Sequence, residues 1–202
     1  MNSLHGKGIV ITRPEAQSQA LALLIRAAHG IPILFPLLEI TPLDDDYQCD
    51  VVLASLAHQD GVIFISTNAV RYAMPRIRRL FGEHLPAVQW FAMGAASAEA
   101  LHEYGIVQVH IPCTGTDSEA LLNLPVLQSV QGKSFILVRG VGGRALLADS
   151  LHQRGAKVQL AECYQRRNPQ TDCALLSQLW QQGRLHAIVV TSSEAMRHLL
   201  AL

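Results

Sequence analysis

Gly6-Lys7-Gly8-Ile9-Val10-Ile11-Thr12-Arg13-Pro14 and Gly132-Lys133-Ser134-Phe135-Ile136-Leu137-Val138-Arg139-Gly140 are two copies of one pattern, displaced by 126 residues. Each opens on Gly-Lys, runs through a compact apolar stretch and closes on an arginine, so Arg13 falls on Arg139. Both copies continue into an Ala/Leu-rich helical pattern, a glycine, a second apolar run and an extended exit. A second pair of segments keeps the displacement. Gly61-Val62-Ile63-Phe64-Ile65-Ser66-Thr67-Asn68-Ala69-Val70-Arg71 aligns with Ala187-Ile188-Val189-Val190-Thr191-Ser192-Ser193-Glu194-Ala195-Met196-Arg197. Ser66 then falls on Ser192, Ala69 on Ala195 and Arg71 on Arg197. Two segments sharing one displacement mark an internal repeat.

The apolar runs are continuous rather than alternating, which suits strands buried on both faces of a parallel sheet. Strands are expected at 9–12, 33–35, 62–65, 88–92, 107–111, 135–138 and 188–190. Helical patterns follow them. The first, over 15–28, has Ala20, Leu21, Leu24 and Ile25 on its apolar face and stops at Gly30. Others run over 68–81 and 96–104, begin near Ser118, end at Gly155 and run into the C-terminus. Strand–helix alternation of this kind predicts a doubly wound α/β architecture. Two segments break the rhythm. Residues 37–42 precede Asp44-Asp45-Asp46, and residues 162–167 precede Asn168-Pro169. Each reads as an extended exit from a strand. In the repeat, Leu202 corresponds to residue 76 of the first copy, so the second copy is expected to lack about 50 residues, the counterparts of 90–111 included.

The composition narrows the function classes. The chain has 202 residues, half of them hydrophobic, with 16 basic and 16 acidic side chains. That length allows one or two domains. Zero net charge argues against nucleic acid, which is bound through a Lys/Arg surplus. No apolar run reaches the ~20 residues that span a bilayer, and the N-terminal stretch lacks the features of a signal peptide. Cys49, Cys113, Cys163 and Cys173 form no C-x-x-C pair and no metal spacing. They read as reduced thiols of a cytoplasmic protein, with Cys163 in or beside a strand.

Candidate chemistry lies where strands end and helices begin. Ser66-Thr67-Asn68 and Thr191-Ser192-Ser193 occupy such junctions, and the free N–H groups there attract anions. The plainer reading is helix capping alone. The matching positions in the two repeat copies favour a pair of anion sites. Met93-Gly94-Ala95-Ala96-Ser97-Ala98 is a third junction, whose small residues leave room for a ligand or for tight helix–sheet packing. Arg139-Gly140-Val141-Gly142-Gly143-Arg144 is a Gly-rich turn after a strand. It is neither a Rossmann fingerprint nor a P-loop. It reads as a flexible, basic lip for an anion, with Arg13 as its counterpart, or as solvated surface charge. No H-E-x-x-H metal motif or G-x-S-x-G nucleophile is present. Tyr164 is the one aromatic on an extended exit, where most tyrosines simply pack.

Taken in order, several segments resemble uroporphyrinogen-III synthases. They are Ile9-Val10-Ile11-Thr12-Arg13-Pro14-Glu15, Pro36-Leu37-Leu38-Glu39-Ile40, Phe64-Ile65-Ser66-Thr67-Asn68-Ala69-Val70, Gly94-Ala95-Ala96-Ser97-Ala98, Asp117-Ser118-Glu119-Ala120-Leu121, Gly132-Lys133 to Arg139-Gly140, and Tyr164-Gln165-Arg166. Each motif is loose; their joint order and spacing over the whole chain are specific. The resemblance implies two parallel-sheet, flavodoxin-like α/β lobes joined by a two-stranded antiparallel linker. Residues 1–36 with 168–202 would form a discontinuous domain, 42–161 a continuous one, and 37–41 with 162–167 the linker. It implies no cofactor and no metal, and a linear tetrapyrrole, hydroxymethylbilane, as substrate. The enzymes it resembles close that tetrapyrrole with loss of water and inversion of ring D. A complete chain is expected to be a monomer.

The resemblance also makes Tyr164, on the returning linker, the candidate catalytic residue, its phenol expected to face a cleft. Ser97 matches a turn position with a hydroxyl, often Thr. Ser66 and Ser192 match positions that contact substrate carboxylates. Ile65 departs from the pattern, since Thr is frequent there. With Arg13, Asn68, Arg139 and Gly142 from the junctions, these are the expected substrate-binding residues. The competing expectation is a non-catalytic two-lobe binding protein or an inactive shortened remnant, because fold alone does not fix function.

Overall fold

The computed structural model describes residues 3–202. In chain order the first elements are β1 (Gly8–Ile11), α1 (Gln19–Ala27), β2 (Ile31–Leu34), β3 (Glu39–Thr41), α2 (Tyr47–Ala54), β4 (Gly61–Phe64), α3 (Thr67–Phe81) and β5 (Gln89–Ala92). Then come α4 (Ala95–His102), α5 (Ser118–Leu122), β6 (Ser134–Gly140), α6 (Leu146–Gln153), β7 (Lys157–Arg167), α7 (Ala174–Gln181), β8 (Ala187–Val189) and α8 (Ser193–Leu200). The chain divides into two compact units, Met1–Thr41 with Arg166–Leu202, and Pro42–Gln165.

The discontinuous unit has a parallel sheet in the order β2-β1-β8. One face of it carries Ile9 and Ile11 against Ala22 and Ile25 of α1. Val10 packs with Phe35, Leu37, Leu38 and Ala195. In the continuous unit β7, β6, β4 and β5 lie side by side, all pairs parallel. Ile63, Phe91, Phe135 and Leu137 there meet Leu121, Leu147 and Leu151 from α5 and α6. Helix α3 buries Ala69, Val70, Ala73, Met74 and Ile77, the three-and-four spacing of an amphipathic helix.

The repeat holds down to single hydrogen bonds. Gly8 pairs with Ile31 and Ile9 with Ala187; 126 residues on, Ser134 pairs with Lys157 and Phe135 with Gly61, in the same register. The amide of Gly6 donates to the carbonyl of His29 at 2.7 Å, and that of Gly132 to Gly155 at 2.9 Å. The amide of Gly8 donates to Nδ1 of His186 at 3.0 Å, and that of Ser134 to Oδ2 of Asp60 at 2.8 Å. An imidazole thus stands in one copy where a carboxylate stands in the other. The two sheets are one βαβ plan built twice.

Some local expectations are corrected. The helix expected over 15–28 is broken. A single 3-10 turn, Glu15–Gln17, precedes α1, and the hydroxyl of Ser18 between them donates to the carbonyls of Arg13 and Pro14. The apolar face is also rotated: Ala22 and Ile25 are buried, while Leu24 is 68% exposed. Residues 107–111 form no strand. They make one bridge, His110 to Phe91, and Val107 is exposed; Pro112, without an N–H, cannot extend the ladder. Helices α2 and α7 have no counterpart in the sequence expectation. Among the described residues no helix is long and apolar enough to cross a membrane.

Candidate functional site

In an open parallel sheet, ligands bind beyond the carboxyl ends of the strands. The candidate residues other than Tyr164 lie at or just beyond such ends. In the continuous unit Ser66 and Asn68 follow β4, Ser97 follows the end of β5, Arg139 and Gly142 mark the end of β6, and Tyr164 stands in β7. In the discontinuous unit Arg13 follows β1 and Ser192 follows β8.

The two junction serines are structural twins. Ser66 is extended, and its Oγ accepts from the amide of Ala69 at 3.1 Å, capping α3. Ser192 is extended as well, and its Oγ accepts from the amide of Ala195 at 3.1 Å, capping α8. Each hydroxyl satisfies one orphan donor, and the remaining amides of the first turn keep the positive end of the helix dipole. Ser97 is buried in the first turn of α4, its amide donating to the carbonyl of Gly94 at 3.1 Å. Gly142 sits at the exposed tip of its turn with φ +71°.

Tyr164 is expected to face a cleft, with packing as the plainer reading. It is fully buried. Strand β7 shifts register against β6 between Arg139 and Gly140, which sets Tyr164 opposite Gly140. A Cβ on Gly140 would lie 2.5 Å from the ring, so only glycine admits it. The ring also meets Tyr72 of α3, centroid to centroid 5.6 Å. No spacing in the sequence links residues 72 and 164, so this partner was not readable there. The phenol oxygen lies 3.1 Å from Oγ of Ser66. Tyr164 and Ser66 thus form a two-hydroxyl chain. A serine oxygen has two lone pairs and one proton. Either hydroxyl can donate across this contact; when the phenol donates, with Ala69 on the other lone pair, the Ser66 proton is left to face outward from a half-buried residue.

Arg139 also departs from expectation. Its guanidinium is buried rather than solvated, and it is turned back onto its own loop. It donates to the carbonyls of Gly140 at 3.2 Å, Arg144 at 3.3 Å and Gly143, and Glu162 lies 3.5 Å away. A buried cation tied to three backbone carbonyls of its own loop gives each a partner and is a fastener for the 139–144 turn. Arg144 instead reaches Glu119 at 3.0 Å and is exposed. Arg13, half-buried, donates to Oε1 of Gln17 at 3.4 Å.

Residues 19–202 match the family model described as uroporphyrinogen-III synthase HemD. A uroporphyrinogen-III synthase of Salmonella typhimurium is 37% identical over 195 residues, covering 96% of this chain and 79% of that one. The Escherichia coli protein of the same description is 34% identical over 194 residues, with the same coverage. Among solved structures, a mutant uroporphyrinogen III synthase from the extremely thermophilic bacterium Thermus thermophilus superimposes with a TM-score of 0.68 at 20% identity, over 97% of this chain and 77% of that one. That likeness speaks for the fold, and it agrees with the parallel α/β units seen here. With matches over nearly its full length in sequence, the chain belongs to the uroporphyrinogen-III synthase family.

Proposed function

We propose that this chain converts hydroxymethylbilane to uroporphyrinogen III, as a cofactor-independent lyase of the cytoplasm acting in tetrapyrrole biosynthesis. The family match over residues 19–202 carries the reading. In the proposed reaction water leaves the ring A hydroxymethyl group, giving an electrophilic azafulvene. The substituted carbon of ring D attacks it to form a spiro intermediate. Cleavage and reclosure at the other carbon invert the ring. The substrate also closes unaided to the uninverted isomer, so the protein's task is to hold ring D in the near-attack geometry.

Such a task calls for many weak carboxylate contacts. The capped N-termini of α3 and α8, the first turn of α4 and the tip at Gly142 suit that role, through backbone N–H groups and Ser66, Asn68, Ser97 and Ser192. Arg13 is proposed as a further cation for the same acids. Arg139 acts one step back, by holding the turn that presents Gly142. Tyr164 with Ser66 supplies the proton donor for the departing hydroxyl, Ser66 touching substrate and the phenol supporting it from behind. The exits 37–41 and 162–167 are proposed as the antiparallel linker; the boundaries of the two units fall at the end of the first and within the second.

The test is to incubate the purified chain with hydroxymethylbilane and separate the products by isomer. Excess inverted isomer over the enzyme-free control is the expected result. The control ratio, from a chain that binds the substrate, would leave a binding protein instead.

A further inference from the structure

Two cysteines that the proposed reaction does not use meet inside the continuous unit. Cys49 is on the buried side of α2 and Cys163 is in β7, 114 residues apart in sequence, and their Sγ atoms stand 3.0 Å from each other. Both are buried and reduced, whereas Cys113 and Cys173 are exposed. A disulfide requires about 2.05 Å, so a small closure of α2 on β7 joins the two sulfurs.

The surroundings make the two thiols unequal. The single Cys163 S–H reaches the carbonyl of Ala161 at 3.3 Å, and either sulfur can be the donor across the Sγ–Sγ contact. The contact with Cys163 holds the Cys49 thiol below its usual range against the opposing effect of burial; the charge of Arg76 adds to the lowering and the charges of Asp50 and Asp46 oppose it. That arginine is fixed beside α2 by ion pairs with Asp46 and, at 2.9 Å, with Asp50, the two acids that flank Cys49 on its helix. The same sulfur contact, with burial, pushes Cys163 up. Cys49 sits on the eight-residue α2 and Cys163 in the sheet strand β7, so a local opening of α2 presents Cys49 to an oxidant first and leaves Cys163 as the resolving sulfur.

We propose that Cys49 and Cys163 are a reversible redox modification site, closed to a disulfide by hydrogen peroxide, that clamps α2 to β7 one residue before Tyr164. The Cys49 thiolate attacks a peroxide oxygen; the O–O bond breaks and the departing hydroxide is protonated to water, leaving a sulfenic acid. The Cys163 sulfur then attacks that sulfur. The S–S bond forms, the S–O bond breaks, and the Cys163 proton leaves with the hydroxide as a second water. Two thiols lose two electrons and the peroxide gains them. Local opening of α2, only eight residues long, admits the oxidant.

The experiment uses the full chain with Cys113→Ser and Cys173→Ser, so that only the pair remains. It is treated with hydrogen peroxide, denatured, alkylated and weighed. The expected product is lighter than the reduced chain by about 2 Da, carries no alkyl group, and regains both thiols with dithiothreitol. With Cys163→Ser added, Cys49 should stop at a sulfenic acid that dimedone captures. Two alkylated thiols after peroxide, or Cys49 gaining two or three oxygens without a cross-link, would overturn the proposal.

Discussion

At Tyr164 the physical question is what a buried phenol can do for a reaction it does not touch. Its oxygen reaches outward only through Ser66, 3.1 Å away. Tyr164→Phe keeps the ring against Gly140 and Tyr72 and removes one hydroxyl. We expect a stability loss of about 1 kcal/mol, the usual net worth of one hydrogen bond. Formation of the inverted isomer should slow on the order of 100-fold, as for loss of a positioned proton donor. The readouts are the inverted-to-uninverted ratio and the melting temperature. Ser66→Ala should cost about 1 kcal/mol through the lost cap and slow the reaction as far; the double variant should be no slower than the singles. An unchanged rate in the Phe variant would leave Tyr164 as packing only. The caps at Ser66 and Ser192 were legible because a serine after an apolar run is a local signal. The burial of Tyr164 was not, since it depends on Gly140 in a neighbouring strand. Arg139 misled for a related reason: a Gly-rich turn reads as open, but here its carbonyls converge on the arginine.

At the scale of elements, the repeat shows which local features the fold needs. Helices α1 and α6 end in the same hook. The amide of Gly30 returns to the carbonyl of Ile25 at 2.8 Å, and that of Ala156 to Leu151 at 3.0 Å. The residue before each is left-handed: His29 with φ 58° in one copy and Gly155 with φ 83° in the other. Glycine takes this conformation without cost, and a side chain does not. Gly155→Ala should destabilise by roughly 1–2 kcal/mol, the more so because its Cβ would meet the Gln131 side chain. His29→Gly should stabilise by up to about 1 kcal/mol. Urea midpoints at constant slope measure both; equal effects of the same sign would mean that the hooks are not equivalent. Apart from 107–111, the expected strands were readable because buried parallel strands are continuous apolar runs. Helix α2 was not, because Asp44-Asp45-Asp46 reads as a polar exit, although Asp46 and Asp50 pair with Arg76 of α3. The rotated face of α1 follows from the break at Ser18, which resets the helical phase.

For the whole molecule, the division into units makes a claim about folding. The continuous unit has its own parallel sheet and its own core around Ile63, Phe91, Phe135 and Leu137. It also contains the Tyr164–Ser66 chain and the Arg139 turn entire. A segment of this size with one core is long enough to fold alone. Residues 42–165, expressed by themselves, should therefore unfold in a single cooperative transition with the tyrosine environment of the full chain. A broad, noncooperative transition with dye-binding apolar surface would show that the unit depends on the rest of the molecule. Its chemistry should not survive the excision. The carboxylate contacts proposed for Arg13 and Ser192 belong to the other unit, and a reaction governed by the placement of one pyrrole ring loses its selectivity when part of such contacts go. With hydroxymethylbilane, the excised unit should give the isomer ratio of the enzyme-free solution. Retained inversion would confine the proposed contacts to Ser66, Asn68, Ser97 and Gly142, with Tyr164 behind Ser66, and would remove Arg13 and Ser192 from the site.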